Sequence, residues 1–265
     1  MGEVSYRPLI EDMTWSYSRL EIFDSCPYRW YLQYIHTPKL PKEKKFYAMY
    51  GLFMHDLLEN YYSGRMSKSE VLTTYLTQFS EKTKGSGRPK WSTVKSYFTK
   101  GKDYLKQLKS MPYKAISIEE KVDFCIGNVR LTGRVDYLGV DEDGNLVIID
   151  HKSRDLKPRS NRKTPTLKEE ELDKMLRQLY LYAEGIRQKY GKLPTKLCFN
   201  CFKNGVFIEE LFNEDAYRKA ILWAQQKVEE ISNSEEFPPN IEYFGCNFLC
   251  DYSSQCCYLE GGDSK

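Results

Sequence analysis

Residues 133–152 read Gly133-Arg134-Val135-Asp136-Tyr137-Leu138-Gly139-Val140-Asp141-Glu142-Asp143-Gly144-Asn145-Leu146-Val147-Ile148-Ile149-Asp150-His151-Lys152. Asp141 to Asn145 is a turn signal between apolar, β-branched runs, so the stretch predicts two strands joined by a tight turn. Such a hairpin brings Asp136, Asp150 and Lys152 to one place. Two carboxylates hold a hard divalent cation through oxygen. A nearby lysine holds an attacking water or steadies a pentavalent phosphate, and together these meet the needs of metal-dependent phosphodiester hydrolysis. An isolated Asp-x-Lys is more often a strand-end ion pair on a surface hairpin. Here Asp150 directly follows four apolar residues, and a charge at the end of a buried strand is where a site sits.

On the N-terminal side, Ser18 with Glu21 reads as a capping box opening a helix with Leu20, Ile22 and Phe23. Pro27 restarts or kinks that helix after Cys26, and Trp30, Tyr31 and Tyr34 continue an aromatic face. Thr37 to Lys45 reads as a loop and Phe46 to Tyr62 as a second helix, ending near Gly64. Residues 63–112 read as a helical insertion, broken by Gly85-Ser86-Gly87-Arg88-Pro89. Strands are expected at Ile116–Phe124, Val129–Val140 and Leu146–Ile149. On the C-terminal side, a basic loop from Ser153 leads into a long amphipathic helix over about Leu167–Tyr190. Leu197–Phe202 and Val206–Leu211 form a hairpin across Asn204-Gly205, and Asn213 caps a last helix to about Ser232. The tail from Phe237 to Lys265 holds four cysteines and no clear periodicity.

Three further constellations bear on chemistry. Gln178 and Tyr182 share a face of the long helix, beside the apolar stripe Leu172, Leu176, Leu179, Ala183 and Ile186. They read either as an amphipathic border or as groups reaching the phosphate site. His55 and Glu59 share a face of the second helix. An imidazole and a carboxylate so placed serve a metal or pair with each other. Cys246, Cys250 and Cys256 are spaced C-x3-C-x5-C, with Cys257 next and Cys26 far upstream. Three or four thiolates in a loop-rich tail suggest an iron–sulfur cluster or a structural zinc. Cys198 and Cys201 fall three apart on a strand, so they point to opposite faces and read as packing residues. Cys125 gets the same reading.

The 265-residue composition is globular, with 21 tyrosines and a net charge of only +3. The charge distribution says more. From Lys152 to Lys168 there are seven Lys/Arg against Asp155, and from Lys82 to Lys109 nine against Asp103. Such stretches track a phosphate backbone, or are simply solvated surfaces. No segment approaches the ~18 apolar residues of a membrane span, and Met1 to Trp15 is too polar for a signal peptide. The expectation is an intracellular protein whose cysteines are thiols or metal ligands.

Taken together, these motifs resemble the PD-(D/E)XK nuclease superfamily, and within it the RecB-like branch of AddB nuclease domains and CRISPR-associated RecB-like exonucleases. Ser18-Arg19-Leu20 with Cys26-Pro27 resembles its N-terminal helix and first cluster cysteine. Gly51-x3-His55 with Glu59 resembles its G-x3-H-x3-E helix, Gly133-Arg134-Val135-Asp136 and Asp150-His151-Lys152 its two metal motifs, and Gln178-x3-Tyr182 its Q-x3-Y helix. Two departures stand out. The first gap of the cysteine tail is one residue longer than the family's, so Cys257 competes with Cys256, and His151 replaces the frequent tyrosine of the D-x-K motif.

The resemblance implies an α/β, restriction-endonuclease-like core over residues 1–265, with a central mixed β-sheet flanked by helices, the insertion at 63–112 and a cluster-binding tail at 237–265. It implies a 4Fe–4S cluster on Cys26, Cys246, Cys250 and Cys256, in preference to zinc. It also implies magnesium or manganese on His55, Asp136, Asp150 and the His151 carbonyl, with Glu59 as an accessory. Lys152 would orient the attacking water, and Gln178 and Tyr182 would position Lys152 or the phosphate. The implied activity is a DNA exonuclease acting on single strands or ends, beside a helicase or recombination protein, in recombination, repair or CRISPR-type processing. No G-x4-G-K-S/T motif supplies a helicase within the chain. A non-catalytic DNA-binding or scaffold subunit is the alternative, against which the intact Asp136, Asp150 and Lys152 argue.

Overall fold

The computed structural model describes residues 6–160 and 164–259. Arg162 and Lys163 of the basic stretch, the first five residues and the tail beyond 259 lie outside them. In chain order the elements are α1 (Arg7–Ile10), α2 (Tyr17–Ser25), α3 (Pro27–Tyr34), α4 (Phe46–Tyr62), α5 (Lys68–Lys82), α6 (Trp91–Lys106), β1 (Lys114–Ile126), β2 (Val129–Val140), β3 (Leu146–Lys152), α7 (Leu167–Tyr190), β4 (Lys196–Cys201), β5 (Val206–Leu211) and α8 (Glu214–Ser232).

The five strands form one mixed sheet in the order β1-β2-β3-β4-β5. All neighbours are antiparallel except β3 and β4, which run parallel and so need the crossover that α7 provides. A capping box of Thr166 and Glu169 starts α7, and left-handed Gly191 ends it. The apolar run Leu146–Ile149 is continuous because both faces of β3 are covered. Leu146 and Ile148 join the main core beneath α7, whereas Val147 and Ile149 pack with Tyr113, Tyr137 and Cys198 on the other face. The strand extends past the expected end at Ile149 to Lys152, because β4 pairs with it in register as far as Cys201.

The long hairpin of β1 and β2 changes faces partway along. Residues two apart on a strand share a face. Yet Val122 and Val135 pack into the main core, while Ile118 and Tyr137 pack on the opposite face. The switch falls at Glu119 and Asp136, which stand opposite each other between the pairs Ile118–Tyr137 and Glu120–Val135. Glu119 has φ +56°, the one positive value outside glycine among the described residues.

At the N-terminus the cap of α2 is Ser16, not Ser18. Ser16 is extended and accepts from the Arg19 amide at 3.2 Å. Cys26 separates α2 from α3, and its sulfur accepts from the Arg29 amide. The insertion forms α5 and α6, broken where the sequence breaks it. These helices close a second apolar cluster around Phe46, Tyr50, Tyr75 and Leu105. Cys198 and Cys201 face opposite sides of the sheet and are buried. Burial pushes the Cys201 thiol up to about 12 and raises that of Cys198 as well. Cys125 is exposed, contrary to its expected packing role. It points away from the core side of β1 that Phe124 and Ile126 fill. Among the described residues no helix is long and apolar enough to cross a membrane.

Candidate functional site

Alternation at the end of β3 sorts three consecutive side chains. Asp150 and Lys152 leave on the Ile148 face, toward α7, and His151 leaves on the opposite face. Tyr137 pairs with Ile149, so one step further the hairpin sets Asp136 beside Asp150. The His151 amide then donates to Asp136 Oδ2 at 2.7 Å. From α4, His55 Nδ1 comes within 3.4 Å of the same oxygen. From β1, Glu119 completes a group: ligand atoms of His55, Glu119 and Asp136 all lie within 4.8 Å of one another.

On the other side of Asp150, Lys152 Nζ sits 2.9 Å from Asp150 Oδ2. Asp150 is buried, and this ion pair partners its Oδ2. Lys152 Nζ also donates to Gln178 Oε1 at 2.8 Å, and Gln178 Nε2 donates to Tyr182 Oη at 2.9 Å. The i, i+4 spacing of Gln178 and Tyr182 on α7 makes that relay possible. Gly133 allows the tyrosine its place, since a Cβ there would lie 2.4 Å from the Tyr182 ring.

The structure thus brings together Asp136, Asp150, Lys152, His55, Gln178 and Tyr182. The His151 ring does not join them. It stacks on Tyr62 at 5.5 Å, and its Nδ1 lies 3.0 Å from the Asn200 amide. Burial lowers its pKa to about 4, so it is neutral. Glu59 pairs with Arg65 rather than with His55. Glu119 is the group that sequence reasoning missed. Its place depends on the face switch, which no local pattern announces.

The electrostatics favour an added positive charge. Burial raises the Asp150 pKa, Lys152 opposes the shift and Asp136 adds to it. Burial also raises Glu119, helped by the charges of Asp136 and Glu59. Burial opposes the charge on Asp136, but the hydrogen bond and charge of His55 outweigh it and lower its pKa. The imidazole nitrogen of His55 and the carboxylate oxygens of Asp136 and Glu119, with Asp150 beside them, form a donor set that fits a divalent ion such as magnesium or manganese.

A second donor set joins the early part of the chain to its tail. Cys26, Cys246, Cys250 and Cys256 line one small cavity with Leu32 and Ile241. Cys257 is exposed and bonds Tyr28 Oη at 3.3 Å instead. Burial, and the neighbouring thiols behind it, raise the pKa values of Cys250 and Cys256.

Comparisons with known proteins bear on the fold that holds these groups. No curated protein matches the chain. The solved structure of a presumed exonuclease from Eubacterium rectale superimposes with a TM-score of 0.54 at 14% identity, covering 100% of this chain and 95% of that one. At that identity the likeness shows the fold. The structure of SSO0001 covers 80% of this chain and 96% of its own at 12% identity, with a TM-score of 0.34 that carries no argument. The sequence itself is more decisive. The match to one family runs from residue 14 to residue 257, spanning the hairpin, α4, α7 and the cysteine tail alike, and by that match the chain belongs to the PD-(D/E)XK nuclease superfamily.

Proposed function

We propose that this protein is a magnesium- or manganese-dependent deoxyribonuclease of the RecB-like branch that trims single-stranded DNA or DNA ends. The observation that carries this reading is the convergence of His55, Glu119 and Asp136, with ligand atoms within 4.8 Å of one another, beside the buried Asp150 carboxylate and its Lys152 partner. Carboxylates gathered this closely repel one another, and a bound cation relieves that repulsion. His55, Asp136, Asp150 and the His151 carbonyl are the proposed ligands, with Glu119 as a further carboxylate. When bound, a divalent ion supplies Lewis acidity at the scissile phosphate and acidifies the water beside it. Lys152 orients the attacking water. Gln178 fixes the ammonium in direction, because its amide accepts from Lys152 at one end and donates to Tyr182 at the other. His151 anchors the strand from behind through Asn200 and Tyr62.

In the same reading Cys26, Cys246, Cys250 and Cys256 hold a 4Fe–4S cluster that staples the α2–α3 junction to the tail. Broad absorbance near roughly 400 nm in anaerobically purified protein is the expected signature, and zinc would give none. Activity is tested with end-labelled oligonucleotides, each blocked at one terminus, in manganese, on wild type and Asp150→Ala. Stepwise shortening by the wild type alone is expected, and the blocked terminus reports polarity. Equal activity in the two proteins would end the catalytic assignment.

A further inference from the structure

Helix α4 carries Tyr47, Gly51 and His55 at intervals of four, so they lie along one face. His55 belongs to the cation site. Tyr47 lies about 12 Å back along the axis, where its ring meets Tyr97 at 5.4 Å, Phe244 at 5.6 Å and Phe248 at 6.3 Å. Two aromatic residues at this end stand open to solvent, Phe244 at 45% and Tyr243 at 76% exposure. Between the aromatic cluster and His55 lies Gly51, where an added Cβ would meet only Ser153 Oγ, at 3.9 Å. The corridor is bare backbone.

Cations line this end of the helix. Lys203 Nζ sits 4.9 Å from the centre of the Tyr97 ring. The bridge between Lys45 and Ser86 holds the broken loop of the insertion beside the start of α4. Gly87 of that loop lies against Asn247, in the turn that follows Phe244, so the exposed Lys44, Lys84 and Arg88 are carried on segments that meet this turn. Neither the basic stretch from Lys82 nor the solvent-facing rings of the tail is used by the cation site.

We propose that this face is a track for single-stranded DNA. Bases stack on Tyr243, Phe244 and Tyr47, the basic loop neutralises phosphates, and the strand runs along α4 over Gly51 to His55. The proposal rests on the nuclease reading and names the surface that feeds its site. Every base has a π-face, so such a platform tolerates any sequence. Paired bases have their faces covered by neighbours, so the track selects single strands.

Stacking requires bases, whereas charge attraction does not. The test is fluorescence anisotropy with a labelled oligothymidylate and an abasic deoxyribose-phosphate oligomer of equal length, with calcium in place of manganese. Wild type is expected to prefer the oligothymidylate by about tenfold. Tyr243→Ala removes an exposed ring, and Tyr47→Leu removes the inner platform. Each should cut the preference by about fivefold or more, and Tyr47→Phe should restore it. Equal binding of both oligomers by wild type would overturn the track, as would an unchanged preference in the Tyr47→Leu Tyr243→Ala double variant. Manganese-dependent hydrolysis of bis(4-nitrophenyl) phosphate by wild type separates the two readings. Its absence would sink the nuclease assignment and leave the base preference to stand on its own result.

Discussion

The proposed cation site takes His55 from the middle of α4, the tail that carries three of the cavity cysteines meets the start of the same helix, and the two sites are built in opposite ways. The cation site is framed by β2, β3, α4 and α7, and its side chains already hold one another. Asp136 is fixed by His55 and an amide, and Lys152 by Gln178 and Tyr182. The cysteine cavity is framed by a π-helical turn at Gly245–Leu249, a 3-10 turn at Ser253–Gln255 and the junction at Cys26. Three of its four thiols are carried on or beside these short turns rather than on a longer helix or strand. An ion bound at the first site would add chemistry to an arrangement the fold has made. A group bound at the second site would make much of the arrangement itself. The two sites should therefore respond oppositely to the loss of a ligand.

The sharpest contrast comes from Asp150→Asn against Cys26→Ser. Asp150→Asn should lower the manganese-dependent rate by about three orders of magnitude. In EDTA its melting temperature should hold or rise, since a carboxylate penalised by burial is gone. Retained activity, or a large drop in metal-free melting temperature, would break the comparison from one side. Cys26→Ser keeps the helix cap, because serine is a good N-cap. It should still lower the melting temperature by about 10 °C or more, several kcal/mol for a domain of this size. The turnover of the fraction that remains folded should change less than about threefold. A stable Cys26→Ser protein without nuclease activity would break the comparison from the other side.

A smaller effect tests how much of the tail is held without any cluster. Glu43 accepts from Lys45 at 2.9 Å, from the Ser86 hydroxyl at 2.7 Å and from the Ser254 amide at 2.7 Å. It thus joins the loop before α4 to both the insertion and the tail. Burial opposes its charge, but these hydrogen bonds hold its pKa down at about 2. A depressed carboxylate gives stability that is fully present above its unfolded value of about 4.3 and is lost as pH falls toward 2. The contribution is on the order of 2 kcal/mol after solvent screening. Urea unfolding at pH 6, 4 and 3 should show it in wild type and lose it in Glu43→Gln. Parallel pH curves for the two proteins would mean that Glu43 adds nothing to the hold on the tail.

How legible each region was follows from whether its cause is local. The hairpin and α7 could be read because burial imprints a pattern. Four apolar residues run straight into Asp150, and Leu172, Leu176, Leu179, Ala183 and Ile186 recur at helical spacing and are all buried. The cap of α2 could not be read so well. Ser18-x-x-Glu21 carries the sequence signature, but Trp15 exchanges backbone hydrogen bonds with Arg130 and Thr132 of β2. That pairing keeps the chain extended through Ser16, so the helix begins at Tyr17, two residues before the signature would start it. Cys125 failed for a similar reason, because a strand position reveals which face it is on but not whether that face is covered. Glu119 was hidden most thoroughly. Beside Glu120 in a strand it looks like one of two ordinary charges on opposite faces, and only the turn in its backbone directs it toward Asp136.

That turn makes Glu119 the finest test of the comparison, because at this one residue conformational strain and ligand chemistry act against each other. A non-glycine residue held at positive φ costs on the order of 1 kcal/mol, and glycine relieves it. Glu119→Gly should therefore stabilise the metal-free protein by about 1 kcal/mol. By removing a carboxylate from the His55–Asp136 group it should also weaken manganese binding, by about tenfold, or ~1.4 kcal/mol, as read by calorimetry. Glu119→Gln keeps the strain and should share only the loss of affinity. If both variants bind manganese like wild type, Glu119 is a strained bystander and the site needs only the groups its sequence announced. If both bind weakly but only the glycine variant melts higher without metal, the fold maintains a strained backbone there to hold a ligand in place.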